Sequence, residues 1–189
     1  SVDHIIFEYD KRFDTDGEFD DNYKVTEKMQ TRYDITINNA KEFLKECNKQ
    51  KVNFHPIGVV QAWSPNSMKK ASRELIDMGY TYIAIGGLVP LDINSCEEIV
   101  KAVRDEIGYE IKIHLLGFAK AKQLDRFIKY KITSFDSTSP LIRAFKDEKD
   151  NYYTPKEHYT AIRIPSSQKT PALKRKVSSG LIDQEEAEK

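Results

Sequence analysis

Short apolar runs of strand length alternate along this chain with longer stretches whose apolar residues recur every three or four positions. A continuous or alternating apolar run suits a strand, and a period near 3.6 suits a helix with one buried face. Alternation of the two favours a parallel α/β sheet over an all-helical or all-strand fold. The strand-like runs fall at residues 5–9, 57–61, 82–85, 111–116 and 132–135. Between the first two, Met29, Tyr33, Ile37, Ala40, Phe43, Leu44 and Cys47 share one helical face. A second helix carries Met68, Ala71, Leu75 and Ile76, opens at Ser64-Pro65 as N-cap and first-turn proline, and stops at Gly79. Cys96, Ile99, Val100, Val103 and Ile107 define a third, ended by Gly108, and Leu124, Phe127 and Ile128 mark a fourth. Successive strands begin about 20–50 residues apart, close to the roughly 30 residues per unit of a (β/α)8 barrel. Five units fall short of eight, so the chain reads as a partial (β/α) barrel truncated at its N-terminus, with an open doubly wound sheet as the alternative.

The 189 residues suffice for a real core, with residues 1–150 as the barrel part, 151–165 as an extension closing it and 166–189 as a flexible charged tail. Thirty basic residues balance thirty acidic ones, so net charge does not announce a nucleic-acid binder. The distribution is uneven, however. Residues 1–30 hold nine acids against four bases, and residues 143–176 hold nine bases against four acids. A basic C-terminal third can follow a phosphate backbone, and a solvated charged surface accounts for it equally well. No apolar run approaches the ~18 residues of a membrane span. The opening Ser1-Val2-Asp3-His4 lacks both a signal peptide and an initiator Met, which suggests that the chain starts partway through a longer protein. Cys47 and Cys96 lie on helical stripes as reduced core residues, in keeping with a cytoplasmic location.

Active sites of α/β barrels lie at the carboxyl ends of the strands. Here a polar residue or a glycine follows each apolar run abruptly: Asp10 or Glu8, Gln61, Gly86-Gly87, Gly117 and Asp136. Each has a bland explanation. Gly86-Gly87 can be a tight turn, Gln61 and Asp136 can cap helices, and His114, inside a strand, is more often a satisfied core residue than a ligand. Their common position at successive strand ends is what favours a site.

The segments Gly58-Val59-Val60-Gln61 and Ala84-Ile85-Gly86-Gly87-Leu88 resemble the Gly-Ile-Val-Gln and Tyr-Ala-Ile-Gly-Gly-Leu stretches of the tRNA-guanine (queuine) transglycosylases. His114-Leu115-Leu116-Gly117 is similar to that family's Tyr-Leu-Met-Gly segment, and Ser134-Phe135-Asp136-Ser137-Thr138-Ser139-Pro140 to its Phe-Asp-Cys-Val-x-Pro motif. The similarity runs in order over about residues 3–145. It implies that Asp136 is the nucleophile that attacks the sugar C1′ and expels guanine, a task an ionised carboxylate suits. It assigns Gln61 to the base edge, the Gly86-Gly87-Leu88 turn and Gly117 to the substrate-binding backbone, and Asp10 or Glu8 to reading the amino and ring N–H groups of guanine. The substrate it implies is a polynucleotide, DNA or tRNA, with a 7-deazaguanine as the incoming base.

Two departures accompany the resemblance. The family's zinc site, a cysteine cluster with a histidine, is absent beyond Asp136, so no cofactor is expected. The general-base aspartate and the opening strands would precede Ser1, so the fragment is expected to be inactive alone and to need a missing segment or partner subunit. Trp63 after Gln61, and the ending Tyr152-Tyr153-Thr154-Pro155 with Tyr159-Thr160-Ala161-Ile162-Arg163-Ile164-Pro165, look more like the paralogs that insert 7-deazaguanines into DNA. The alternatives are a tRNA-modifying enzyme and an inactive nucleic-acid-binding subunit.

Overall fold

The computed structural model describes residues 2, 4–118, 120–146, 151–154, 157–160 and 179–180. It divides into two compact units, residues 1–137 and 138–189. The first unit contains α1 (Glu27–Gln50), β1 (Gly58–Val60), α2 (Pro65–Asp77), β2 (Tyr82–Ile85), α3 (Ile93–Ile107), β3 (Lys112–Leu115) and β4 (Ser134–Phe135). The strands form one parallel sheet in chain order, β1-β2-β3-β4, with Gly58 opposite Ile83, Ile83 opposite Ile113 and His114 opposite Ser134. The second unit contains α4 (Ser139–Lys146) and an antiparallel pair, β5 (Tyr152–Tyr153) and β6 (His158–Tyr159), whose turn is closed by Thr154 N–H donating to the Glu157 carbonyl at 2.8 Å. Of the expected tail at 166–189, all but residues 179–180 lie outside the described residues, as does most of the basic stretch at 143–176.

Helix limits follow the local chemistry. Thr26 caps α1 by accepting from Met29 N–H, and Ser64 forms a capping box with Ser67 ahead of Pro65 at the start of α2. Asp92 accepts from the N–H groups of Asn94 and Ser95 to start α3, which Gly108 ends at φ 72°. Side chains alternate across the sheet. One face supplies Val60, Ile83, Ile85, Ile113 and Leu115 to a core completed by Met68, Leu75, Ile99, Val100, Val103 and Phe127. The other face carries Tyr82, Ala84, His114 and Ser134. Gly58 is required where β1 crosses α2, because a Cβ there would stand 2.5 Å from Leu75 Cδ2 and 3.1 Å from the Tyr80 ring.

Two expectations are corrected. The sheet has four strands, not five, because residues 5–9 form no strand. Ile6 is buried there, as its apolarity predicts, but the backbone polar groups are met by side chains instead of a ladder. His4 N–H donates to Thr36 Oγ1 at 3.0 Å, Ile6 N–H donates to Gln61 Oε1 at 3.1 Å, and the Ile5 carbonyl accepts from Arg32. The fourth helix, Ala121–Tyr130, is a run of 3-10 turns. Among the described residues, no helix is long and apolar enough to cross a membrane.

Arg104 holds the connections of β3 together. It is 1% exposed, and its guanidinium donates to four carbonyls: Tyr130 (2.9 Å), Ile111 (2.8 Å), Lys131 (3.3 Å) and Gly108. The end of α3, the approach to β3 and the turn before β4 therefore meet on one side chain. Glu97 reinforces the same junction by accepting from Lys129, Arg126 and Tyr130, and the Lys129 and Arg126 bonds hold its carboxyl down to about 2. Arg104→Met should lower stability by at least about 2 kcal/mol, since several buried carbonyls lose their donor together. Urea denaturation of the two proteins measures it, with a fall in midpoint as the expected result.

Candidate active site

Parallel pairing places the carboxyl ends of β1 to β4 on one edge of the sheet, and the residues that follow them there are Gln61, Gly86, Leu116-Gly117 and Asp136. A cavity of about 490 Å³ opens at this edge, floored by Gln61, Gly86 and Gly87 and walled by Ile6, Phe7, Val89 and Gly117. Gln61 is 4% exposed, and its Oε1 accepts from Ile6 N–H, so one side chain ties the floor to the wall. Gly86 is needed for close approach: a Cβ there would stand 2.6 Å from Gln61 Nε2 and 2.8 Å from its Cγ. Gly117 has φ 63°, and a Cβ on it would stand 2.8 Å from Val89 Cγ2.

Asp136 stands beside this cavity. Its backbone N–H continues the sheet pairing to the Leu115 carbonyl, and its Oδ1 accepts from Gly117 N–H at 2.9 Å and from His114 Nε2 at 3.1 Å. The side chain is 52% exposed. The Gly117 N–H, aided by His114 and opposed by partial burial, holds the carboxyl below the usual carboxylate range. Asp136 is thus an ionised carboxylate fixed across the sheet. Its bonds to Gly117 and His114 use it differently from a helix cap.

The remaining candidates lie elsewhere. Asp10 is paired side-on with Arg12, Nε to Oδ1 at 2.9 Å and Nη2 to Oδ2 at 2.6 Å, and also caps the 3-10 turn Lys11–Thr15. Those bonds hold its carboxyl at about 2, and it lines a separate polar hollow with Tyr9, Asp92 and Glu98. Glu8 is exposed and does not line the 490 Å³ cavity. Leu88 is 1% exposed and belongs to the core, and its carbonyl accepts from Leu91 N–H at 3.3 Å, Cys96 Sγ at 3.6 Å and Lys120 Nζ at 3.4 Å.

Periodicity did not single out His114 as part of the site. Its Nδ1 lies 2.6 Å from Ser134 Oγ, which lies 2.5 Å from the Tyr82 hydroxyl. The signal was latent in the register: once residues 111–116 and 132–135 pair in parallel, positions 114, 134 and 136 share a face. Phe7, in a run whose apolarity suggests only a strand, is 64% exposed at the cavity mouth. Cys47 and Cys96 are buried on different helices, and among the described residues no three His, Cys, Asp or Glu side chains cluster closely enough to hold a metal ion.

No family profile matches the chain. It is 40% identical over 189 residues to the DNA-guanine transglycosylase of Salmonella montevideo, a match covering 99% of this chain and 44% of that protein. The chain therefore spans less than half the length of the relative it matches.

The packing of Gln61 on Gly86 carries its own test. Gly86→Ala should push the Gln61 amide from its place and break its bond to Ile6 N–H, because the new methyl lies within contact of three Gln61 atoms. A crystal structure of the variant should show Gln61 in a different rotamer with the wall at residues 5–7 displaced.

Proposed function

We propose that the chain, similar over almost its whole length to a DNA-guanine transglycosylase, belongs to the tRNA-guanine transglycosylase superfamily and that the protein exchanges guanine in DNA for a 7-deazaguanine. The observation that carries this reading is the ionised Asp136 carboxylate, fixed by Gly117 and His114 beside a cavity floored by Gln61, Gly86 and Gly87. In the proposed reaction, Oδ1 is anchored and Oδ2 attacks C1′ of the deoxyribose. The C1′–N9 bond breaks, and guanine departs with the bonding pair and takes up a proton. The cation-like character that develops at C1′ is stabilised and then captured by the carboxylate. The incoming base then loses its N9 proton, attacks C1′ and returns the pair to Asp136, so protons and charge balance over the cycle.

Gln61 offers a side-chain amide to the base edge, and the glycine backbone lets the ring approach where a Cβ would obstruct it. A base-reading role for Asp10 requires its pair with Arg12 to open. We assign the four-strand sheet to a (β/α) barrel whose other units, and general base, come from the rest of the protein. The buried thiols Cys47 and Cys96 fit a cytoplasmic setting.

Two measurements test the reading. Asp136→Asn in the full-length protein should abolish both the covalent protein–DNA adduct on a denaturing gel and base exchange, while folding survives, because an amide is nearly isosteric but uncharged and poorly nucleophilic. A persistent adduct in the variant rejects Asp136, and incorporation of labelled 7-deazaguanine into tRNA but not DNA rejects the substrate. Gln61→Ala should weaken binding of the free base by about 1–3 kcal/mol in calorimetric titration, as polar groups on its edge lose a partner.

A further inference from the structure

We propose that His114 is a positioning residue of the exchange reaction: a hydrogen-bond donor, locked in one tautomer by Ser134 and Tyr82, that holds Asp136 and eases its departure from the sugar. The inference rests on Asp136 being the nucleophile. An ionised carboxylate only accepts, so the ring nitrogen 3.1 Å from Oδ1, Nε2, carries the hydrogen. In the neutral ring Nδ1 is then an acceptor, and Ser134 Oγ, 2.6 Å away, must donate to it. With its only hydrogen committed, Ser134 Oγ accepts from the Tyr82 hydroxyl at 2.5 Å. Every hydrogen in the chain Tyr82–Ser134–His114 therefore points toward Asp136. Bonds aligned this way polarise one another.

The arrangement differs from that of a satisfied core histidine. It draws one polar side chain from each of β2, β3 and β4, and all three lie on the face of the sheet opposite the apolar core. Both ring nitrogens are bonded, and the side chain is 17% exposed. The chain ends on the one oxygen that also receives Gly117 N–H.

Two donors on Oδ1 act unequally in the two halves of the reaction. When the C1′–Oδ2 bond forms and guanine leaves with the C1′–N9 pair, the carboxylate charge is lost into an ester and both bonds weaken. When the incoming base, having released its N9 proton, attacks C1′, the C1′–Oδ2 bond breaks and its electron pair returns to Asp136. The donors then bond most strongly, because charge reappears where they point. Without the His114 hydrogen, Asp136 is a more basic and poorer leaving group, so the sugar stays on the protein longer.

The test uses the full-length protein, an end-labelled guanine-containing DNA duplex and tritiated guanine as the incoming base, since reversal of guanine release makes guanine itself a valid acceptor. His114→Phe should slow exchange by about 10–100-fold while raising the fraction of DNA caught on the protein in a denaturing gel. His114→Gln keeps an N–H near the Nε2 position and should recover part of the rate. Ser134→Ala, which frees the tautomer, should have a smaller effect than His114→Phe, and Tyr82→Phe the smallest. If His114→Phe disrupts folding, the other three variants still form the graded series. Slower exchange without a gain in adduct, equal losses in all variants, or wild-type behaviour throughout would each overturn the role of His114. An active wild-type protein that forms no adduct, or an adduct that survives Asp136→Asn, overturns the nucleophile assignment instead.

Discussion

Because β1 to β4 run the same way, each connection must recross the sheet on a helix or helical turn, and each strand opens its carboxyl end on the same edge. The site depends on this constraint. Gln61, Gly86, Gly117 and Asp136 are separated by up to 75 positions in the chain, yet each is a strand's exit. Apolar side chains on one face of the strands fix the register through the core. The register in turn sets which polar residues meet on the other face. Arg104 guards the weakest part of this scheme, where β4 contributes only two residues and the turns around it supply carbonyls that need a donor.

Four carboxylates in the first unit are held below their ordinary range, by different means, Asp92 by Ser95 and the N–H groups that it caps at the start of α3. Asp10 is matched by the Arg12 guanidinium, and Glu97 by Lys129 and Arg126. Asp136 is held chiefly by a backbone N–H, with an imidazole second. A guanidinium would neutralise the charge as it stabilises it and would occupy both oxygens. A peptide N–H and a ring N–H stabilise the anion through one oxygen, Oδ1. Glu97 ties α3 to the 3-10 turns before β4 and Asp10 closes a local turn, while Asp136 stays half exposed at the cavity edge.

Much of this was legible in the sequence, for physical reasons that can be named. The helices from Glu27, Pro65 and Ile93 announced themselves through caps and apolar spacing, and the strand exits through abrupt polarity after apolar runs. Residues 5–9 depart from the expected strand because apolarity reports burial, not ladder pairing, and the partners of this segment are side chains that local pattern cannot identify. Leu88 followed a motif into the core because adjacency to a glycine turn says nothing about which way a side chain points. Asp10 ended an apolar run like the others, but its neighbour two residues on claimed it. His114 was hidden for the opposite reason: its partners, Ser134 and Asp136, are 20 and 22 positions away and become neighbours only through parallel pairing.

The bond from Ile6 N–H to Gln61 Oε1 makes the cavity's floor and wall thermodynamically linked. A ligand group that competes for Oε1 leaves a buried peptide N–H without its acceptor and loosens the segment that walls the cavity. One that binds Gln61 while leaving Oε1 to Ile6 tightens the same segment. The wall therefore responds to a group in the cavity according to whether that group presents a donor to Oε1. Occupancy of the site and order of the wall are coupled with a sign that the ligand sets, each changing the other by the same free energy.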